Sequence, residues 1–214
     1  MRDFIKQTGL QRQGVRERVI MPGGISPISP VLKTPAFMKS YPGTSIKLSG
    51  NSKIRKVVKY ALDELEKQGY SFPATIKTDY KFFEKYKVLK TSPCAYMNDV
   101  LYINNRHNMW KNPKGWMKEE YADGWLSTDK PEGAIWHEVG HFLHEKSNTG
   151  IYNKYILTGF PNSGDEVIAL QVSKYAKENA NEFIAEVFAA HVAGMDSGFS
   201  LDVFILFNSL GGVK

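Results

Sequence analysis

The stretch Ser127–Lys146, STDKPEGAIWHEVGHFLHEK, decides how the rest of the chain is read. Asp129 and Glu132 have the spacing of a capping box, and Pro131 suits a first helical turn. A helix is therefore predicted from about Lys130 to Lys146. Inside it lies His137-Glu138-Val139-Gly140-His141, an HExxH pentapeptide. Residues i and i+4 share one helix face, so both imidazoles can reach a single ion. Glu138 is rotated by about 100° from His137. Its carboxylate can therefore reach a metal-activated water without ligating the metal, and act there as general base and acid. Gly140 lets another backbone approach closely, although a mid-helix glycine costs about 1 kcal/mol relative to alanine.

A catalytic zinc site needs a third protein ligand. The next clear helix, NANEFIAEVFAAHVAG, is predicted from about Asn179 to Ala193 and stops at Gly194. Glu182 and Glu186 share one face of it, while Phe183, Ile184, Val187 and Phe188 occupy much of the rest. Two carboxylates side by side on an apolar helix repel and are costly to bury. A cation would relieve that cost. The expected assignment is Glu182 to zinc and Glu186 to the outer nitrogen of a zinc-bound histidine. The alternative leaves both glutamates on a solvated face. Manganese, iron or cobalt can occupy such sites as well as zinc.

HExxH followed some forty residues later by a helical NExxAE resembles the gluzincin pattern. The run Glu182–Phe188, EFIAEVF, is similar to the second helix of the anthrax lethal factor-like peptidases, which include the Pro-Pro endopeptidases. The stretch SKYAKENANEFIAEVFAAHVAG also resembles a peptidase domain attached to phage head-morphogenesis proteins. The resemblance covers residues 130–194. It implies a zincin-like α+β domain with a small mixed sheet, an HExxH helix and a glutamate helix. It also implies that Tyr175, seven residues before Glu182, helps to stabilise an oxyanion.

Around these helices the chain reads as an ordinary globular body. Asn51 or Ser52 caps a helix reaching about Gln68, with Ile54, Val57, Val58, Ala61, Leu62 and Leu65 as one apolar stripe. PATIKTDY reads as a strand, and CAYMNDVLYINN as a hairpin turning at Asn98 and Asp99. A peptide substrate would add to that hairpin as a further strand. Residues 105–126, with three of the four tryptophans, read as an irregular loop over the site. A variable region runs to about Ser173, with a short helix in GDEVIALQ, and SLDVFILFNSL forms a last helix capped by Ser200. His144 reads as a partly exposed residue of its helix end, and Cys94 as a small buried residue.

The chain has 214 residues, 42% hydrophobic and 23% charged, which excludes wholesale disorder. One cysteine excludes a disulfide scaffold and a cysteine-rich zinc cluster. No apolar run is long enough to span a membrane, and no Gly-rich phosphate loop is present. The net charge of +6 belongs to residues 1–50, which hold eight basic and two acidic residues and five of the ten prolines. They read as an extended basic arm, 1–50, ahead of a single domain, 51–214. Ile20, Ile25, Ile28, Val31, Leu32, Phe37 and Met38 would anchor the arm on a partner, and nothing recognisable supports nucleic acid.

The combined expectation is a zinc metallopeptidase acting on a peptide or protein substrate. It would bind one Zn2+ through His137, His141 and Glu182, with Glu138 and Tyr175 catalytic and Glu186 orienting a ligand. The arm suits docking on phage structural proteins. With no signal peptide read at the N-terminus, expression in a host cytoplasm followed by association with a virion is expected. The competing expectation is a structural component of a phage particle that keeps the fold and metal site without appreciable peptidase activity.

Overall fold

The computed structural model describes residues 41–89 and 91–213. The arm read into residues 1–40 lies outside the described residues. Four strands, β1 (Ser45–Lys47), β2 (Thr75–Thr78), β3 (Cys94–Met97) and β4 (Val100–Ile103), form one mixed sheet in the order β1-β2-β4-β3. The first two pairings are parallel, and β3 runs antiparallel to β4. Eight α-helices stand among the described residues: α1 (Ser52–Lys67), α2 (Tyr80–Lys85), α3 (Pro113–Ala122), α4 (Gly133–Ser147), α5 (Thr149–Thr158), α6 (Asp165–Leu170), α7 (Ala180–Val192) and α8 (Leu201–Ser209). The fold is thus α+β with a small mixed sheet. None of these helices is long and apolar enough to cross a membrane.

Local chemistry explains the elements that position the site. The Asn51 side chain accepts the Lys53 N–H at 2.8 Å and starts α1, whose predicted apolar stripe is buried. Asn98 and Asp99 both adopt positive φ, 51° and 59°, and make the tight turn that joins β3 to β4. That turn leaves β3 at the outer edge of the sheet, next to α4. The HExxH helix therefore lies alongside a strand edge.

Several sequence expectations are corrected here. The last ten residues of the proposed arm belong to the body: Ser45–Lys47 pair with Thr75–Lys77. Tyr41 is buried, and its phenol donates to Asp63 at 2.7 Å. Proline and glycine density pointed to an arm through residue 50, but sheet pairing satisfies the backbone from Ser45 onward. The expected loop at 105–126 contains a 3-10 turn (Asn108–Lys111) and α3, which Asn112 caps by accepting the Gly115 N–H at 3.2 Å. Trp110 and Met117 are buried in the main core. The variable region holds α5 as well as the expected α6. The HExxH helix starts at Gly133 without a side-chain cap, so the Asp129–Glu132 box is not made. A Cβ at Gly133 would stand 2.5 Å from a Thr128 methyl, so packing sets that helix start.

Two cores meet on α7. One lies between the sheet, α1 and α4; the other gathers Phe183, Ile184, Val187, Val203 and Leu206 under α8. Helices α4 and α7 come close together at Gly140. A Cβ there would meet the Ala185 Cα at 3.0 Å and the Phe188 ring at 3.2 Å. Gly140→Val should cost about 1–3 kcal/mol through overpacking. Gly140→Ala should lie nearer to neutral, because a helix-propensity gain of about 1 kcal/mol offsets a smaller clash. Denaturant titration of both variants checks this, and a fully stable valine variant would contradict the close approach.

His144 is fully buried rather than partly exposed. Its Nε2 lies 3.0 Å from the Leu210 carbonyl oxygen and joins α4 to the C-terminal segment, while its Nδ1 has no partner. Burial pushes its pKa down to about 4 from the usual 6.5. The unfolded chain therefore takes up this proton first. The stabilisation from a neutral His144 is complete above pH 6.5 and is lost as pH falls towards 4, at up to about 1.4 kcal/mol per pH unit. Thermal unfolding between pH 7.5 and 4.5 should show a smaller acid-side loss in His144→Gln than in wild type. Parallel curves would remove His144 as the cause.

Candidate metal centre and active site

The HExxH segment occupies the middle of α4, and Glu182 and Glu186 lie in the first two turns of α7. The close crossing at Gly140 brings the two sets of side chains together. Nε2 of His137 lies 3.0 Å from Glu182 Oε2, and Nε2 of His141 lies 3.3 Å from the same oxygen. The two imidazole nitrogens are 3.1 Å apart. One ligand atom from each of the three residues falls within 4.8 Å of the others. Glu182 Oε2 is buried and makes no well-aligned hydrogen bond, although both rings approach it. Two imidazole nitrogens and a carboxylate oxygen turned on one point suit a shared cation. This buried group can hold a metal ion.

Electrostatics agree with that arrangement. Burial alone would push Glu182 up, but His141 and His137 outweigh it and hold the carboxyl far below its usual range. For His137 burial acts downward, and the carboxylates of Glu182 and Glu186 more than reverse it.

Glu186 is almost wholly buried and fully engaged. Its Oε1 lies 2.8 Å from His137 Nδ1. Its Oε2 accepts the Ser127 N–H at 2.7 Å and the Ser173 hydroxyl at 3.0 Å. Ser127 Oγ also donates to the Glu186 carbonyl at 2.7 Å. With Nδ1–H donating to Glu186, it is Nε2 of His137 that faces Glu182 and His141, and a bound metal would take the place of its proton there. Nδ1 of His141 has no comparable partner. Nothing in the sequence singled out Ser127 or Ser173, because the contacts that recruit them span 59 and 13 residues.

Tyr175 also reaches this centre. Its ring stacks on His137, with centroids 5.3 Å apart and planes 19° from parallel. Burial first, then the charges of Glu182 and Glu138, push its phenol well above the usual range, so it remains a proton-bearing donor at neutral pH. The Tyr175 N–H donates to the Trp125 carbonyl at 3.2 Å, and Lys174 N–H to Gly124 at 2.8 Å. The segment after α3 is thereby tied to the segment before α7.

Glu138 sits on the side of α4 that faces β3. Its Oε2 accepts the Tyr96 N–H at 2.8 Å. Burial raises its pKa, against the lowering effect of His137 and His141. The remaining histidines lie elsewhere: His191 pairs with Asp196 at 2.7 Å on the surface, and His107 caps a 3-10 turn by accepting the Met109 N–H. Cys94 is buried and unpaired.

The chain matches no family model, no curated protein and no solved structure.

Proposed function

We propose that the protein is a zinc-dependent peptidase of gluzincin type. The observation that carries this reading is the convergence of His137, His141 and Glu182 on one point, with Glu138 next to His137 on α4. Bound by those three residues, zinc would supply Lewis-acid polarisation of a peptide carbonyl and a water of lowered pKa.

The chain's own groups supply the rest. The Tyr96 N–H fixes one Glu138 oxygen and orients the carboxylate. Glu138 then accepts a proton from the attacking water and returns it to the departing amine nitrogen. Tyr175 offers its phenolic proton to charge developing on the carbonyl oxygen. Glu186, locked by Ser127 and Ser173, keeps His137 in the tautomer that presents Nε2.

Metal analysis of the purified chain is the direct test. About one zinc per chain is expected, removed by chelation together with a fall in melting temperature, and restored by added zinc. His137→Ala should abolish tight binding. Absence of bound transition metal, combined with no thermal shift on adding zinc, would refute the reading.

A further inference from the structure

Glu145 lies seven residues beyond Glu138, two turns along the same face of α4. It is half-buried in the last helical turn. A carboxylate is disfavoured there, because the helix end already carries partial negative charge. Its Oε2 accepts the Tyr96 phenol at 2.6 Å. That phenol in turn accepts the Asp99 N–H at 3.3 Å. Tyr96 therefore holds both carboxylates, Glu138 through its backbone and Glu145 through its side chain. No lysine, arginine or histidine pairs with Glu145 among the described residues. The neighbouring Lys146 instead lies over the Phe142 ring. Tyr152 of α5 packs edge-on against His144, at 5.5 Å between centroids, and lies near His141. Burial and the charges of Glu145, Glu182 and Glu138 raise its phenol, which places Tyr152 among these carboxylates.

We infer that Glu145, held by Tyr96, is a specificity-determining residue that selects a lysine or arginine in the substrate. The inference rests on the peptidase reading and names its substrate class: peptides with a basic residue near the bond to be cut. Two helical turns span about 10 Å. An extended peptide covers that distance in about three residues, and a long basic side chain shortens it. The selected residue thus lies within about three positions of the scissile bond, on the side towards which α4 runs. Its ammonium or guanidinium supplies a counter-charge that none of the described residues provides, in a partly desolvated position where charged hydrogen bonds are strong.

The test uses zinc-loaded full-length protein and peptide pairs that differ only by lysine or glutamine at one position. At one position the lysine peptide should give a kcat/KM about 10- to 100-fold higher. That ratio should fall to about 1 in Glu145→Gln, fall partway in Tyr96→Phe, and invert in favour of glutamate peptides in Glu145→Lys. Binding of the same fluorescent peptides to the Glu138→Gln protein gives a readout without turnover. The lysine peptide should bind at least about 10-fold more tightly, and Glu145→Gln should erase the difference. Cleavage without basic preference, or a preference unchanged in Glu145→Gln, overturns the role of Glu145 and leaves the peptidase reading standing. Glu145-dependent binding of lysine peptides without any cleavage upholds the subsite and overturns the peptidase. Neither cleavage nor binding overturns both.

Discussion

Glu138→Gln should lose about 10²–10⁴-fold in peptide hydrolysis while keeping its metal and its fold, since the substitution removes a proton acceptor and leaves every ligand in place. The geometry makes this a clean experiment. Glu138 ligates through neither oxygen in the cluster formed by His137, His141 and Glu182. Its Oε2 accepts the Tyr96 N–H, a bond that a glutamine carbonyl can accept as well. Metal content and melting temperature should therefore match wild type, and the loss should appear in kcat. Wild-type turnover in Glu138→Gln would remove the general base from the mechanism. A parallel loss of zinc would show that the residue belongs to the ligand set.

Glu186→Ala should destabilise the protein by about 3–5 kcal/mol, the range for breaking a buried charged network from one side. The reason is what the alanine leaves behind. Nδ1–H of His137, the Ser127 N–H and the Ser173 hydroxyl all lose a buried acceptor at once. Buried donors without partners cost more than the bonds themselves contribute. The same change frees the His137 ring to rotate or switch tautomer, so metal affinity should also fall by about 10- to 100-fold. Denaturant unfolding of the metal-free protein isolates the first effect, and competition with a chelator measures the second. Unchanged stability in the metal-free variant would mean that the network is strained rather than stabilising. Unchanged affinity would mean that His137 is held by packing against Tyr175 alone.

Much of this architecture was legible in the sequence, because short-range rules govern it. Helix α1 follows from an apolar stripe and an asparagine cap. The β3–β4 turn follows from Asn98-Asp99, and the HExxH spacing puts two imidazoles on one face whatever surrounds them. Gly140 was readable as a point of close approach, since a glycine that weakens a helix needs a packing reason. The start of α4 was misread because packing around Gly133 overrode the capping pattern. Helices α2 and α5 were missed because each is short and lacks a clear apolar period. The joining of β1 to the sheet was hidden behind prolines and glycines that look alike in an arm and in the approach to an edge strand.

The rest belongs to tertiary structure. No spacing rule joins Ser127 to Glu186 across 59 residues, or Tyr96 to Glu138 across 42. Such contacts exist only once α7 crosses α4 at Gly140 and β3 takes the outer edge of the sheet. Through local periodicity the sequence determined which side chains could act together. Only the packing of α4, α7 and β3 decided which of them meet, because long-range contacts depend on the whole core closing and not on any one segment.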